Sequence, residues 1–263
     1  MNKLLYANFF RMFRNRLFLA GMGFMFFSGS FLCYQQYRQL SGYGIAVTLD
    51  STFFCYTLMI GVISAIFCSL FVGVEYGDGT MRNKIIAGHK RVEIYFSDLI
   101  TNIAASFLMC VSYMLANVIV GIPLIGSLTI PAEKVLVIIS GSLITVVAFC
   151  SIFTMINLLV SSKAAAAVIC IVAMFISIAF LNEVQRILDN PKTWYDGTAN
   201  TAYVGGEERA RLEFLYNVLP TGQEMQYSRR NIKNMNEMCL YSIGVTVIST
   251  GAGVFFFRRK NIK

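Results

Sequence analysis

The stretch EYGDGTMRNKIIAGHKRVEIY, Glu75 to Tyr95, sets glycines and charges of both signs between two long apolar runs. Ser51 to Val74 before it and Leu99 to Ala132 after it contain no Asp, Glu, Lys, Arg or His. A hydrocarbon layer about 30 Å thick needs about 20 helical residues to cross it. Each flanking run is long enough to do so, and the polar stretch then reads as a connector held outside the layer.

Working outward, four more runs share this character: Leu17 to Tyr37, Val135 to Ser162, Ala164 to Asn182 and Met238 to Phe257. Of the 263 residues, 56% are hydrophobic and only 14% charged, against about 25% charge in a soluble domain. The expectation is an all-α membrane protein, one domain over 1–263, with six transmembrane helices at 17–37, 51–74, 99–122, 135–162, 164–182 and 238–257. Pro123 and Pro131 should end the third helix and leave a short apolar loop. A secretory signal is the competing reading of the N-terminus. The run from Leu17 is too long for a signal core and is followed by glutamines and Arg38, so it is taken as the first span.

Six spans put both termini on one side. That side carries Lys3, Arg11, Arg14, Arg16, Arg82, Lys84, Lys90, Arg91, Lys163, Arg258, Arg259, Lys260 and Lys263, against only Glu75, Asp78, Glu93 and Asp98. On the other side most cations fall in the long 183–237 segment, where charge steers topology weakly. Both termini are therefore expected in the cytoplasm of a multi-pass plasma-membrane protein. The basic balance of +8 then suits an anionic inner leaflet or a docked protein, with no call for nucleic acid.

The seven cysteines all lie in predicted spans without CxxC spacing, which argues against a zinc site. Small buried residues are the ordinary reading, and a Cys33–Cys55 bridge is the alternative. No GxxxxGK[ST], HExxH or GxSxG motif occurs, so no catalytic residue and no metal site are expected. The sole histidine, His89, reads as a solvated surface residue. No ionisable group sits mid-span, which disfavours ion-coupled transport. The polar residues of the spans, Asn102, Asn117, Thr145, Ser151, Thr154 and Asn157, should bond helix to helix.

At about 100° per residue, Lys3, Ala7, Asn8, Arg11, Arg14 and Asn15 fall on one side of a helix over 1–16. Leu5, Tyr6, Phe9, Phe10, Met12 and Phe13 fall on the other. Such a helix lies on the membrane, with Phe9 and Phe13 in the acyl boundary and Lys3, Arg11 and Arg14 at the headgroups. Within 75–98, Asp78 or Thr80 can cap a short helix that Gly88 closes. Met81 and Ile85 share a face, joined by Ile86, and Arg82 and Lys84 are left for polar contacts. A capped two-turn helix with an apolar knob and a basic flank suits a partner's groove.

That stretch, a Glu after the second span followed by Gly-Thr-x-Arg-Asn, resembles the corresponding segment in permease subunits of type-two ABC exporters, particularly the bacitracin- and lantibiotic-resistance group. The six spans, the N-terminal elbow and a long last outer loop containing NVLPTGQ, Asn217 to Gln223, are similar to that group's plan. The resemblance implies a coupling helix that inserts into an ATP-binding cassette subunit. It carries Glu75, Gly79, Thr80, Arg82 and Asn83 into that role, and the shared face adds Met81 and Ile85. It further implies a second permease copy or a sibling permease as partner. ATP and Mg would be held by the partner subunit, with no cofactor on this chain, and the cargo would be amphipathic, such as an antimicrobial peptide. A self-contained channel or secondary carrier is the alternative.

The outer loop, 183–237, is too long for a plain connector. After Gly205-Gly206, Leu212, Leu215, Tyr216 and Leu219 recur at helical spacing, with Glu207 and Glu208 in the first turn and Pro220 at the end. This predicts an amphipathic helix on the outer surface, either a structural lid or a place where substrate is received or released.

Overall fold

The computed structural model describes residues 1–232 and 234–260; Lys263, one of the cations that set the expected topology, lies outside them. In chain order the helices are α1 (Asn2–Phe13), α2 (Arg16–Tyr43), α3 (Asp50–Phe53), α4 (Tyr56–Gly77), α5 (Thr80–Ile86) and α6 (Arg91–Ala116). A π-helical turn, Asn117–Gly121, then leads into α7 (Ile122–Ile125), α8 (Ala132–Leu159) and α9 (Lys163–Leu188). The chain ends with α10 (Gly206–Val218), α11 (Pro220–Arg229) and α12 (Met235–Arg259). Among the described residues no strand forms, and Thr193 and Ala199 make a single bridge.

Six helical stretches are long and apolar enough to cross a membrane: Arg16–Tyr43, Asp50–Gly77, Arg91–Ile125, Ala132–Leu159, Lys163–Leu188 and Met235–Arg259. Most reach past the uncharged runs, because a run free of charge measures apolar length while the helix continues through polar ends. The third corrects the expected stop at Pro123. Its helix continues through the π-helical turn to Ile125, with Pro123 in the first turn of α7. There its missing N–H costs little, and the wider turn before it absorbs the ring.

α4 is the central helix: 61% of its apolar window is buried inside the molecule, against 22% for α9 and for α12. In lipid the apolar effect hardly distinguishes a neighbouring helix from acyl chains, so close packing and hydrogen bonds must pair the helices. The sequence supplies both. Tyr56 meets Ser142 at 2.6 Å to join α4 to α8, and Ser64 meets Ser106 at 2.9 Å to join α4 to α6. Asn102 donates to Thr154 at 2.9 Å between α6 and α8, and Ser151 meets Ser249 at 2.7 Å between α8 and α12. Bonds of this kind average about 0.6 kcal/mol each, so it is their number along the bundle that fixes register. All seven cysteines are free; Cys33 donates to Asn117 Oδ1 and Cys55 to Ser51 O, so the two are not bridged.

The two ends of the bundle differ. At one, Arg91 at the start of α6 donates to Phe257 O and Arg258 O, both at 3.0 Å, where a cation meets the free carbonyls and negative end of α12. Lys260 reaches Leu158 O at 2.9 Å at the end of α8. Both chain ends, α5 and the α8–α9 turn thus share one face. At the other end lie α3, α10 and α11, with the Asp50 carboxylate accepting from Thr129 N at 3.1 Å to pin the loop before α8.

Candidate functional site

α5 hangs between α4 and α6 on the face that carries both chain ends. Gly79 and Gly88 bracket it at φ +68° and +87°, a left-handed backbone that side chains resist. Gly79, with no side-chain cap, opens the helix. Thr80 Oγ1 donates back to Glu75 O at 3.2 Å. The amides of Gly88 and His89 close the end on Ile85 O and Lys84 O, a Schellman arrangement.

Beneath α5 sits a cluster of charges built around two buried carboxylates. Glu75, in the last turn of α4, and Asp98, one turn into the apolar part of α6, are both fully buried. Lys84 of α5 donates to Glu75 Oε1 at 2.6 Å and to Asn8 Oδ1 at 3.2 Å, and it stands 3.6 Å from Asp98 Oδ1. Arg11 of α1 meets the same Glu75 oxygen at 2.6 Å, with its guanidinium 4.0 Å from the Phe71 ring centroid. Asn8 completes the set, donating to Asp98 Oδ1 at 2.7 Å and Ser97 Oγ at 2.9 Å. Two carboxylates and two cations balance, as burial demands. The cluster ties α1, α4, α5 and α6 into one unit.

This geometry corrects parts of the sequence reading. Arg11 is not a headgroup cation, because the buried carboxylate of Glu75 competes for it and wins. Asn8 is buried, as are Leu4 and Met12, and Phe9 packs on the core. Lys3, Phe13 and Arg14 stay outside, Arg14 lying over the Phe10 ring. Met81 is 1% exposed and Ile85 packs on the core, so these two anchor α5 to its own bundle instead of forming an outward knob. Glu75 is likewise an internal counter-ion. The outward side of α5 carries Arg82, Asn83 and Ile86, the last 71% exposed.

At the opposite end, α10 and α11 form from the 183–237 segment. Leu212, Tyr216 and Leu219 pack against Leu181, Val184 and Met225. Pro220 ends α10 as expected but also opens α11, occupying a first-turn position where its missing N–H is harmless. α11 is not a surface lid. Thr221 to Tyr227 are all buried against α4, α8 and α9. Gln223 holds it there: Nε2 donates to Asn217 O and Met238 O at 2.8 and 2.9 Å, and Oε1 accepts from Thr145 and Ser242 at 2.7 and 2.6 Å. The NVLPTGQ motif is thus the turn that aims α11 into the bundle.

Sequence reasoning missed Glu224, which α11 carries into the bundle at 2% exposure. The residue lies outside every apolar run, so a search of those runs passes over it. The available signal was Pro220 followed by a helix-compatible stretch. Among the described residues, no three His, Cys, Asp or Glu side chains come together as a metal site. Comparison of the chain with protein-family models and with curated protein sequences returned no match.

Proposed function

We propose that the chain is a membrane-spanning permease subunit of an ATP-driven exporter, resembling the type-two ABC group, and that α5 is its coupling helix. The observation carrying this reading is the double character of α5. Its inner face is locked to α4 and α6 through Lys84, while its outer face presents Arg82, Asn83 and Ile86 at the level of both chain ends. A push on that outer face moves the ends of two spans together, which is what a transmission element must do. Glu75, Gly79, Thr80, Met81 and Ile85 serve by shaping and anchoring α5; Arg82, Asn83 and Ile86 meet the partner.

On this reading α1 is the elbow, with Tyr6, Phe10 and Phe13 in the acyl boundary of the cytoplasmic leaflet. Both termini are cytoplasmic in the plasma membrane. ATP and Mg bind a separate cassette subunit, and a second permease, identical or a sibling, completes the translocation path. The cargo is amphipathic, an antimicrobial peptide being one example. The test is purification from the native host in mild detergent, with ATP hydrolysis measured on whatever accompanies the tagged chain.

A self-contained carrier is the second reading, favoured by one observation: Glu224 is an ionisable group buried among the spans. It predicts uptake into liposomes holding this chain alone, without ATP.

A further inference from the structure

Between α4, α9 and α11 lies a cleft of about 250 Å³ lined by Leu58, Ile178, Asn182, Thr221, Glu224 and Met225 among others. It adjoins a second, more polar cleft of about 150 Å³ on the α10 side, and the two share Gln185 and Arg229. Glu224 is the exceptional member of this lining. Its Oε2 lies against the backbone of α4 at Gly61, where an added methyl would stand 3.0 Å away, beside Met174 and Phe149. Its Oε1 is buried and has no hydrogen-bond partner. Glycine at position 61 makes room for the carboxyl, yet nothing around it supplies a cation.

Charge bookkeeping over the clefts leaves Glu224 unbalanced. Arg229 is taken by Asp189 at 2.8 Å, and Arg209 pairs with Glu213 at 3.3 Å. The titratable groups that face Glu224 are Tyr56 on α4 and Cys110 on α6; the neighbours from α8 and α9 are Phe149 and Met174. None brings a positive charge. A lone buried carboxylate flanked by aliphatic walls and a few hydroxyls is complementary to one kind of ligand: a cationic group carried on an apolar body.

We propose that the α4–α9–α11 cleft binds an organic cation, an ammonium or guanidinium on an apolar tail, with Glu224 as its counter-ion. The site deepens the exporter reading by giving its amphipathic cargo a sign of charge and a place on the outer half of the bundle. Binding to the isolated chain does not depend on an ATPase partner, so the two readings fail separately. Burial holds the unliganded carboxyl well above the usual carboxylate range, so a bound cation displaces a proton and binding tightens as pH rises.

The purified chain in phosphatidylcholine nanodiscs is titrated with dansylcadaverine, a fluorescent primary amine, and with N-pentyl dansylamide, a neutral counterpart of the same chain length. Saturable binding of the amine at least tenfold tighter than the amide is expected, strengthening as pH rises and competed by hexylamine but not hexanol. Glu224→Gln should weaken the amine at least tenfold and leave the amide unchanged. Equal binding of amine and amide, no saturable binding to the wild-type chain, or a folded E224Q that keeps wild-type affinity would each overturn the proposal. If E224Q does not fold, the wild-type's discrimination between amine and amide decides alone.

Discussion

Lys84 is the residue on which the charged cluster turns, since it reaches both of that cluster's carboxylates. Lys84→Met keeps the stem and removes the charge, leaving Arg11 to face Glu75 and Asp98 together. Loss of one partner of a buried pair costs about 3 kcal/mol, and thermal unfolding in detergent should show a matching drop. Gln223→Leu removes the four hydrogen bonds of the Gln223 amide at the other end, at about 1–3 kcal/mol, read by the same melt. Lys260 offers a pH signature. Desolvation lowers its amine from 10.5 to about 8, so between those values the unfolded chain holds a proton the folded chain has lost. Stability should rise from pH 8 towards 10.5 through this group, and Lys260→Met should flatten that part of the profile.

At the scale of elements, α5 separates anchoring from docking. Ile85→Asp puts a charge into the packed side and should lower the melting temperature, whereas Ile86→Asp on the exposed side should leave the melt unchanged and abolish association with a partner. The six spans were legible because lipid penalises charge, which keeps Asp, Glu, Lys and Arg out of the six apolar runs. The orientation of α1 and α5 was less so. A helical wheel sorts polar from apolar, but it cannot tell a cation facing water from one facing a buried carboxylate, and Arg11 and Lys84 both face Glu75. Met81 and Ile85 do share a face of α5, but it meets their own bundle, and Ile86, read as part of that face, stands exposed on the other side. α11 was hidden for the opposite reason. PTGQEMQYSR has only Met225 and Tyr227 as large apolar-packing side chains, and hydrogen bonds to Gln223 and from Thr57 hold its polar remainder inside.

For the whole molecule, two ends with different chemistry follow from the same fold. One is a charged, tightly tied platform of α1, α5 and the two chain ends; the other is a bundle mouth filled by α11 and flanked by clefts. If the platform is cytoplasmic, a cysteine placed at Glu208 should react with an impermeant maleimide on intact cells, and one placed at Arg82 should react only after the membrane is opened. Labelling in the reverse order would invert the topology. The central claim, that this chain passes on work done by a separate ATPase, is tested most directly by purifying the tagged protein from its native host beside Ile86→Asp. The account predicts a stoichiometric cassette subunit and ATP hydrolysis with the wild-type, and a stable permease stripped of both with the variant. A wild-type preparation free of any ATPase, from an extract in which other membrane complexes survive, would contradict it.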